Sequence, residues 1–149
     1  MRLGLIAGLM ATAVLASACG RSMKELNAMD DEQLARELWV AKHQTIGFGG
    51  YDKQVRQAIL DKHPEWSATV RTAIGEQRVT LGMTKAQVGA SWGAPLQVGS
   101  SLRPEGERIF WRYGRPQSGD GVLPTMASNN EKSKCVYFGP SGLVVGVDQ

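Results

Sequence analysis

Val79-Thr80-Leu81-Gly82-Met83-Thr84-Lys85-Ala86-Gln87-Val88-Gly89-Ala90-Ser91-Trp92-Gly93-Ala94-Pro95 decides how this chain folds. It reads as a short extended lead-in, one punctuated helix and a hard stop. Thr84 suits the N-cap, where its hydroxyl accepts a backbone N–H of the first turn, and Gln87 three residues on completes a capping box. Met83 before the cap and Val88 inside it have the spacing of a hydrophobic staple. Val88 and Trp92, four apart, share one face. Gly93 supplies the C-terminal residue, and Pro95 forbids continuation.

The residues Gly82-Met83-Thr84, Val88 and Trp92-Gly93-Ala94-Pro95 resemble the opening of the SmpA/OmlA, or BamE-like, family of small envelope lipoproteins. Trp111 and Tyr113, then Phe138 and Gly142, follow in the order of that family's W-x-Y and F-x-x-x-G marks. The resemblance covers residues 79–149 and implies an antiparallel sheet after the helix. It also implies a role exercised by contact. The best-known member is a small non-catalytic subunit of the outer-membrane β-barrel assembly machinery and contacts phospholipid.

Working outward, the N-terminus opens with Arg2 and an apolar run from Leu3 to Ala16, too short for the roughly 20 residues of a permanent span. It fits the hydrophobic region of a secretory signal. Leu15-Ala16-Ser17-Ala18 before Cys19 reads as a lipoprotein processing site, with cleavage after residue 18 and acylation of Cys19. An ordinary signal cut near Ala18 is the alternative. Gly20 beside the cysteine, with no Asp there, points to the periplasmic face of the outer membrane. Cleavage leaves a chain of about 130 residues, enough for one domain with a core.

The 17 basic and 14 acidic residues of the full chain give +3, and loss of Arg2 lowers this by one. So even a balance argues against a nucleic acid partner. With Cys19 acylated, Cys135 lacks an intramolecular partner and reads as a small buried hydrophobe.

Residues 19–29 read as a lipidated polar tether, 30–78 as a helical N-terminal part and 79–149 as a BamE-like α+β domain. A first helix spans Asp30 to Gln44, with Asp30 and Gln33 as its box and Leu34, Leu38 and Ala41 as its stripe. The Gly-rich run from Thr45 to Tyr51 is a helix–helix turn, since a phosphate loop would need a preceding strand. Asp52 is expected to cap a second helix to Lys62, with Val55, Ala58 and Ile59 inward. Pro64 opens a third to Ile74 with Trp66, Val70, Ala73 and Ile74 inward, and Gly75 ends it. Lys24, Lys53 and Arg56 fall on exposed helix faces. These helices depart from the family's pattern, and their stripes favour packing on the C-terminal unit over a loose extension.

After Pro95 the period becomes two. Leu96–Ser101, Glu107–Tyr113, Lys134–Phe138 and Leu143–Val147 read as strands, the last covered on both faces because it is apolar throughout. The expected fold is α+β, helices packed against a three- or four-stranded antiparallel sheet. The polar stretch from Gly114 to Asn130 is a loop of uncommon length, a mark of function or disorder.

Catalytic signatures are missing: no G-x-S-x-G, H-E-x-x-H, C-x-x-C or EF-hand spacing occurs, and no cofactor motif. His43 and His63 sit near helix ends, as dipole partners do. A non-catalytic binding or scaffold module is the reading that remains. Arg108, Arg112 and Arg115, with Lys132 and Lys134 beyond the loop, are placed by adjacent strands around Phe110 as a partner-binding surface. A solvated sheet edge protected by its charge is the competing explanation. The expected partner is an envelope protein, barrel-assembly components by the resemblance, with the membrane reached through the lipid. The alternative function is an envelope inhibitor or regulator that binds a soluble hydrolase through its sheet face.

Overall fold

The computed structural model describes residues 20–43, 50–104, 106–114 and 133–148. Among these residues five helices precede four strands: α1 (Met23–Ala28), α2 (Asp31–His43), α3 (Tyr51–Lys62), α4 (Ala68–Gly75) and α5 (Lys85–Trp92), then β1 (Gln97–Arg103), β2 (Gly106–Tyr113), β3 (Lys134–Phe138) and β4 (Val144–Asp148). The strands lie in chain order in one open antiparallel sheet, so the fold is α+β as expected. One core cluster runs from Leu26 through the helices to Val136, Phe138 and Val144.

The capping box at α5 is complete: Gln87 N–H donates to Thr84 Oγ1 at 3.3 Å, and Thr84 N–H donates to Gln87 Oε1 at 2.9 Å. Met83 and Val88 are both buried in the core. Gly93 ends the helix at φ 87°, and no larger residue fits there. A Cβ on it would lie 3.0 Å from Trp39 N and 3.2 Å from Ala35 O. The backbones of α2 and α5 therefore touch, and Ala94 N–H donates to Ala35 O at 2.8 Å.

Trp92, 6% exposed, joins helices to sheet. Its Nε1–H donates to Gln77 O at 2.8 Å, and its ring meets Tyr113 edge-on at 5.2 Å. Tyr113 in turn donates to Gly93 O at 3.2 Å, and burial pushes its phenol well above the usual tyrosine range.

Several boundaries differ from the sequence reading. Residues 20–29 are not a free tether. Ser22 and Glu25 form a capping box that starts α1, and Leu26 is fully buried. Arg21 N–H donates to Tyr51 Oη at 2.8 Å, and Tyr51 donates to Glu37 Oε1 at 2.7 Å. Burial and that carboxylate push the Tyr51 phenol up to about 12. One leucine among polar neighbours is enough to dock a short helix, and no average over the segment reveals it. The signal segment and Cys19 lie outside the described residues, as do residues 44–49 of the Gly-rich turn.

Asp30 caps α2 as expected, with Gln33 N–H donating to Oδ1 at 2.8 Å. Asp52 does not cap α3. Gly50 does, at φ 107°, and Asp52 sits in the first turn, 3.5 Å from Arg56. Arg56 is not surface charge: it is 4% exposed, and its Nε and Nη2 have no hydrogen-bond partner. Desolvation lowers its pKa against the pull of Asp52. Pro64 lies in a turn rather than at a helix start, because Ser67 takes the cap of α4. α4 does end at Gly75 as expected, and the left-handed residue that follows is Gln77 at φ 58°. β4 is covered on one face only: Val144 is buried, while Val145 is 49% exposed.

His43 serves its helix end, its Nδ1–H donating to Trp39 O at 2.8 Å. His63 does more. Its ring stacks on Trp66 at 4.1 Å, with Nε2 3.1 Å from Asp31 and Nδ1 2.8 Å from Glu65. Desolvation lowers its pKa, but hydrogen bonds to Glu65 and Asp31 outweigh that, and the net direction is up.

Two predictions follow from this packing. Trp92→Ala should cost about 3–5 kcal/mol in a denaturant titration, since it deletes a large core side chain, whereas Thr84→Ala should cost about 1 kcal/mol through the lost cap. The raised His63 pKa means that the clamp on Asp31 stabilises fully below the ordinary histidine value of about 6.5 and is lost as pH rises through the folded value. The melting temperature should therefore drop across that window in the wild type, and by less in His63→Asn.

Candidate functional site

Strand alternation divides the sheet into two unlike faces. Ile109, Trp111 and Tyr113 of β2, with Val136 and Phe138 of β3, turn toward the helices, Trp111 meeting Phe138 edge-on at 5.0 Å. The residues between them turn outward. Register places Gly99, Phe110, Tyr137 and Gly146 in one row across all four strands of that outer face. Beside it runs a second row, Gln97, Arg112, Cys135 and Asp148. Arg108, opposite Ser101, flanks the aromatic row on its other side.

Gly99 is what lets the Phe110 ring lie down. A Cβ on Gly99 would fall 2.3 Å from Phe110 Cζ and 2.6 Å from Cε1, so the ring occupies the space a side chain would take. Tyr137 lies over Gly146 at ordinary contact, 3.4 Å from where a Cβ would stand. Glycine inside a strand often marks such close approach. The result is a low aromatic platform, both rings half-buried, bordered by guanidinium groups.

Charge on this face is unbalanced. Tyr137 donates to Asp148 Oδ2 at 3.0 Å, and that hydrogen bond raises its pKa while occupying the carboxylate. Among the described residues, neither Arg108 nor Arg112 forms an ion pair. The groove between α1 and α2, lined by Arg21, Glu25, Gln33, Arg36 and Glu37, is different. There Arg21 pairs with Glu37, Arg36 with Glu32, and Glu25 with Ser22. Its guanidinium groups are already paired with carboxylates.

The expected cluster is brought together only in part. Arg108, Phe110 and Arg112 share the outer face. Lys134 does not: it pairs with Tyr113 on the helix-facing side, its Nζ 5.2 Å from the Trp92 ring centroid. Adjacent strands place these cations near in space, but the alternation puts Lys134 through the sheet from Phe110. Arg115 and Lys132, with most of the loop, lie outside the described residues. Cys135 is half-buried on the outer face between Arg112 and Asp148, rather than a core residue. Tyr137 and its glycine partner were missed. The signal was present in the lone glycines of Gln97–Arg103 and Val144–Asp148.

An aromatic platform with unpaired guanidiniums can dock a planar, apolar or anionic group. Among the described residues no three His, Cys, Asp or Glu side chains gather as a metal site would require. The fold and this face define an α+β protein with one open, cationic–aromatic sheet surface. No protein-family model, characterised protein or solved structure matches the chain.

If the platform depends on glycine, Gly99→Val should displace the Phe110 ring while leaving the rest of the fold in place. The Phe110 ring resonances should shift in an aromatic NMR spectrum, with helical circular dichroism unchanged.

Proposed function

We propose that this protein is a non-catalytic, lipid-anchored binding module of the outer membrane, facing the periplasm, which engages an envelope protein through the outer face of its sheet. The observation that carries the reading is the pair of arginines, Arg108 and Arg112, that border the Phe110–Tyr137 platform and form no ion pair among the described residues. Arginine and aromatic side chains are enriched where binding energy concentrates. Charge of one sign on such a face also raises association rates with an acidic partner.

The anchor is inferred from Ala16-Ser17-Ala18-Cys19 behind the apolar run. The structure adds a mechanical point to that inference. Gly20 lies against the Tyr51 ring so closely that a Cβ would fall 2.5 Å from it, and Arg21 is bonded to Tyr51 and Glu37. A lipid on Cys19 would thus join a chain pinned from the next residue. Such a domain is held close to the bilayer instead of ranging on a leash. The resemblance at residues 79–149 suggests barrel-assembly components as the partner; an inhibitor of a soluble hydrolase would use the same face.

Crosslinking pull-down from intact envelopes tests this. Arg108→Ser with Arg112→Ser should lower partner recovery at least several-fold and flatten its salt dependence. Lys24→Ser with Lys53→Ser, on exposed helix surface, is the control. Equal loss from both pairs would reduce the effect to general electrostatics, and no loss from either would remove the face from consideration. A soluble hydrolase in the captured material would favour inhibition over scaffolding. Cys19→Ala should leave an unacylated precursor, and a wild-type protein recovered with an unmodified N-terminus would overturn the anchor.

A further inference from the structure

The two edges of the sheet are not equivalent. Beyond β4 the edge is occupied where the strand begins. Val144 N–H donates to Met83 O at 2.8 Å, Gly82 N–H donates to Val144 O at 2.9 Å, and Thr84 bridges Leu143. β3 and β4 also slip register between Tyr137 and Phe138, and such irregularities discourage further pairing. Beyond β1 no described strand pairs.

β1 also lacks the usual protection of an edge. From Val98 to Leu102 it carries no charge, no proline and no bulge. Val98 is 59% exposed and Leu102 87% exposed. Both stand on the helix-facing side, opposite Trp111 and Glu107, yet among the described residues nothing covers them. A regular seven-residue edge strand with exposed apolar groups is a template for another strand.

Its sequence selects the occupant. Gln97-Val98-Gly99-Ser100-Ser101-Leu102-Arg103 is nearly symmetric about Ser100. In an antiparallel pair of two such strands centred there, Val98 of each copy faces Leu102 of the other, twice. Gln97 faces Arg103, Gly99 faces Ser101, and Ser100 faces itself on the two-fold axis. Shifting the axis to Gly99 sets Val98 against Ser100 and Leu102 against Leu96, and shifting it to Ser101 sets Leu102 against Ser100 and Val98 against Pro104. Shifting one strand by a single residue sends them to opposite faces of the sheet. The register about Ser100 is the one that sets Val98 against Leu102 on both sides of the axis, the self-complementarity an isologous interface requires.

We propose that two copies of this chain associate through antiparallel β1–β1 pairing about Ser100, forming a continuous eight-stranded sheet. The pairing sets the two outer faces edge to edge, with a Phe110 ring, seated on Gly99, on each side of the axis. A partner would then meet a doubled cationic–aromatic surface. The proposal does not depend on the lipid anchor or on the identity of that partner.

The test is site-directed disulfide formation in the full chain carrying Cys135→Ser. Ser100→Cys should crosslink two copies under mild oxidation, because directly opposed residues of an antiparallel pair sit about 4.5–5.5 Å apart at Cα, within the roughly 4.4–6.8 Å that a disulfide tolerates. Ser101→Cys, one position off the axis, facing Gly99 of the other copy and on the other face from Val98, should crosslink at least tenfold more slowly. The Cys135→Ser parent reports any dimer that Cys19 forms by itself. Equilibrium sedimentation supplies an independent reading: the wild type should show a concentration-dependent dimer. Val98→Lys should weaken it by tenfold or more, and adding Leu102→Glu should restore it by opposing the two charges across the axis. Both positions are exposed, and unchanged circular dichroism verifies the fold of each variant. A wild type that stays monomeric, equal crosslinking at positions 100 and 101, or a double variant no tighter than Val98→Lys would each overturn the proposal.

Discussion

The structure hangs on the contact of Trp92 with Tyr113. The indole N–H is satisfied by Gln77 behind it, the ring edge meets Tyr113, and the Tyr113 hydroxyl returns to Gly93 at the end of the same helix. Each group satisfies a polar need that burial would otherwise leave open, a penalty of about 1–3 kcal/mol per group. The constraint propagates both ways. Toward the helices, Gly93 and Gly89 allow α5 to approach α2 at backbone distance, where Ala94 is bonded to Ala35. Toward the sheet, Tyr113 fixes the end of β2 and with it which residues of that strand face outward.

Because β2 is pinned in this way, Phe110, Arg108 and Arg112 have no choice of side. A one-residue slip would turn them inward and expose Ile109 and Trp111. The aromatic platform is thus a by-product of core packing on the opposite face, and its openness follows from helices placed on one side only. The same arrangement leaves β1 at the margin, beyond the reach of α5, with Val98 and Leu102 uncovered. Two separate surface features, one face and one edge, trace back to one joint.

The N-terminal helices contribute rigidity more than chemistry. Tyr51 gathers Arg21, Glu37 and the start of α3, while His63 ties the C-terminal end of α3 to Asp31 at the start of α2. Arg56 is the exception, a buried guanidinium with one carboxylate at 3.5 Å and two unpartnered nitrogens. A surface-like helical position became an interior one because α3 is packed by neighbours that its own periodicity does not reveal.

What the sequence by itself determined was local and periodic. The cap at Thr84, the box at Asp30, the burial of Leu34, Leu38, Val55, Ile59 and Val88, and the span of β3 all follow from side-chain chemistry within a few residues. The outward set Arg108, Phe110, Arg112 was legible for the same reason, since strand alternation is a local rule. Tertiary structure decided everything that needed a partner distant in the chain. Leu26 docks a segment that reads as polar, Lys134 crosses to the Trp92 side, Tyr137 joins Phe110, and Gly50 displaces Asp52 as a cap. Register, close approach and edge exposure depend on which strands and helices become neighbours. That choice is made by the summed packing of the whole core, and no window of sequence contains it.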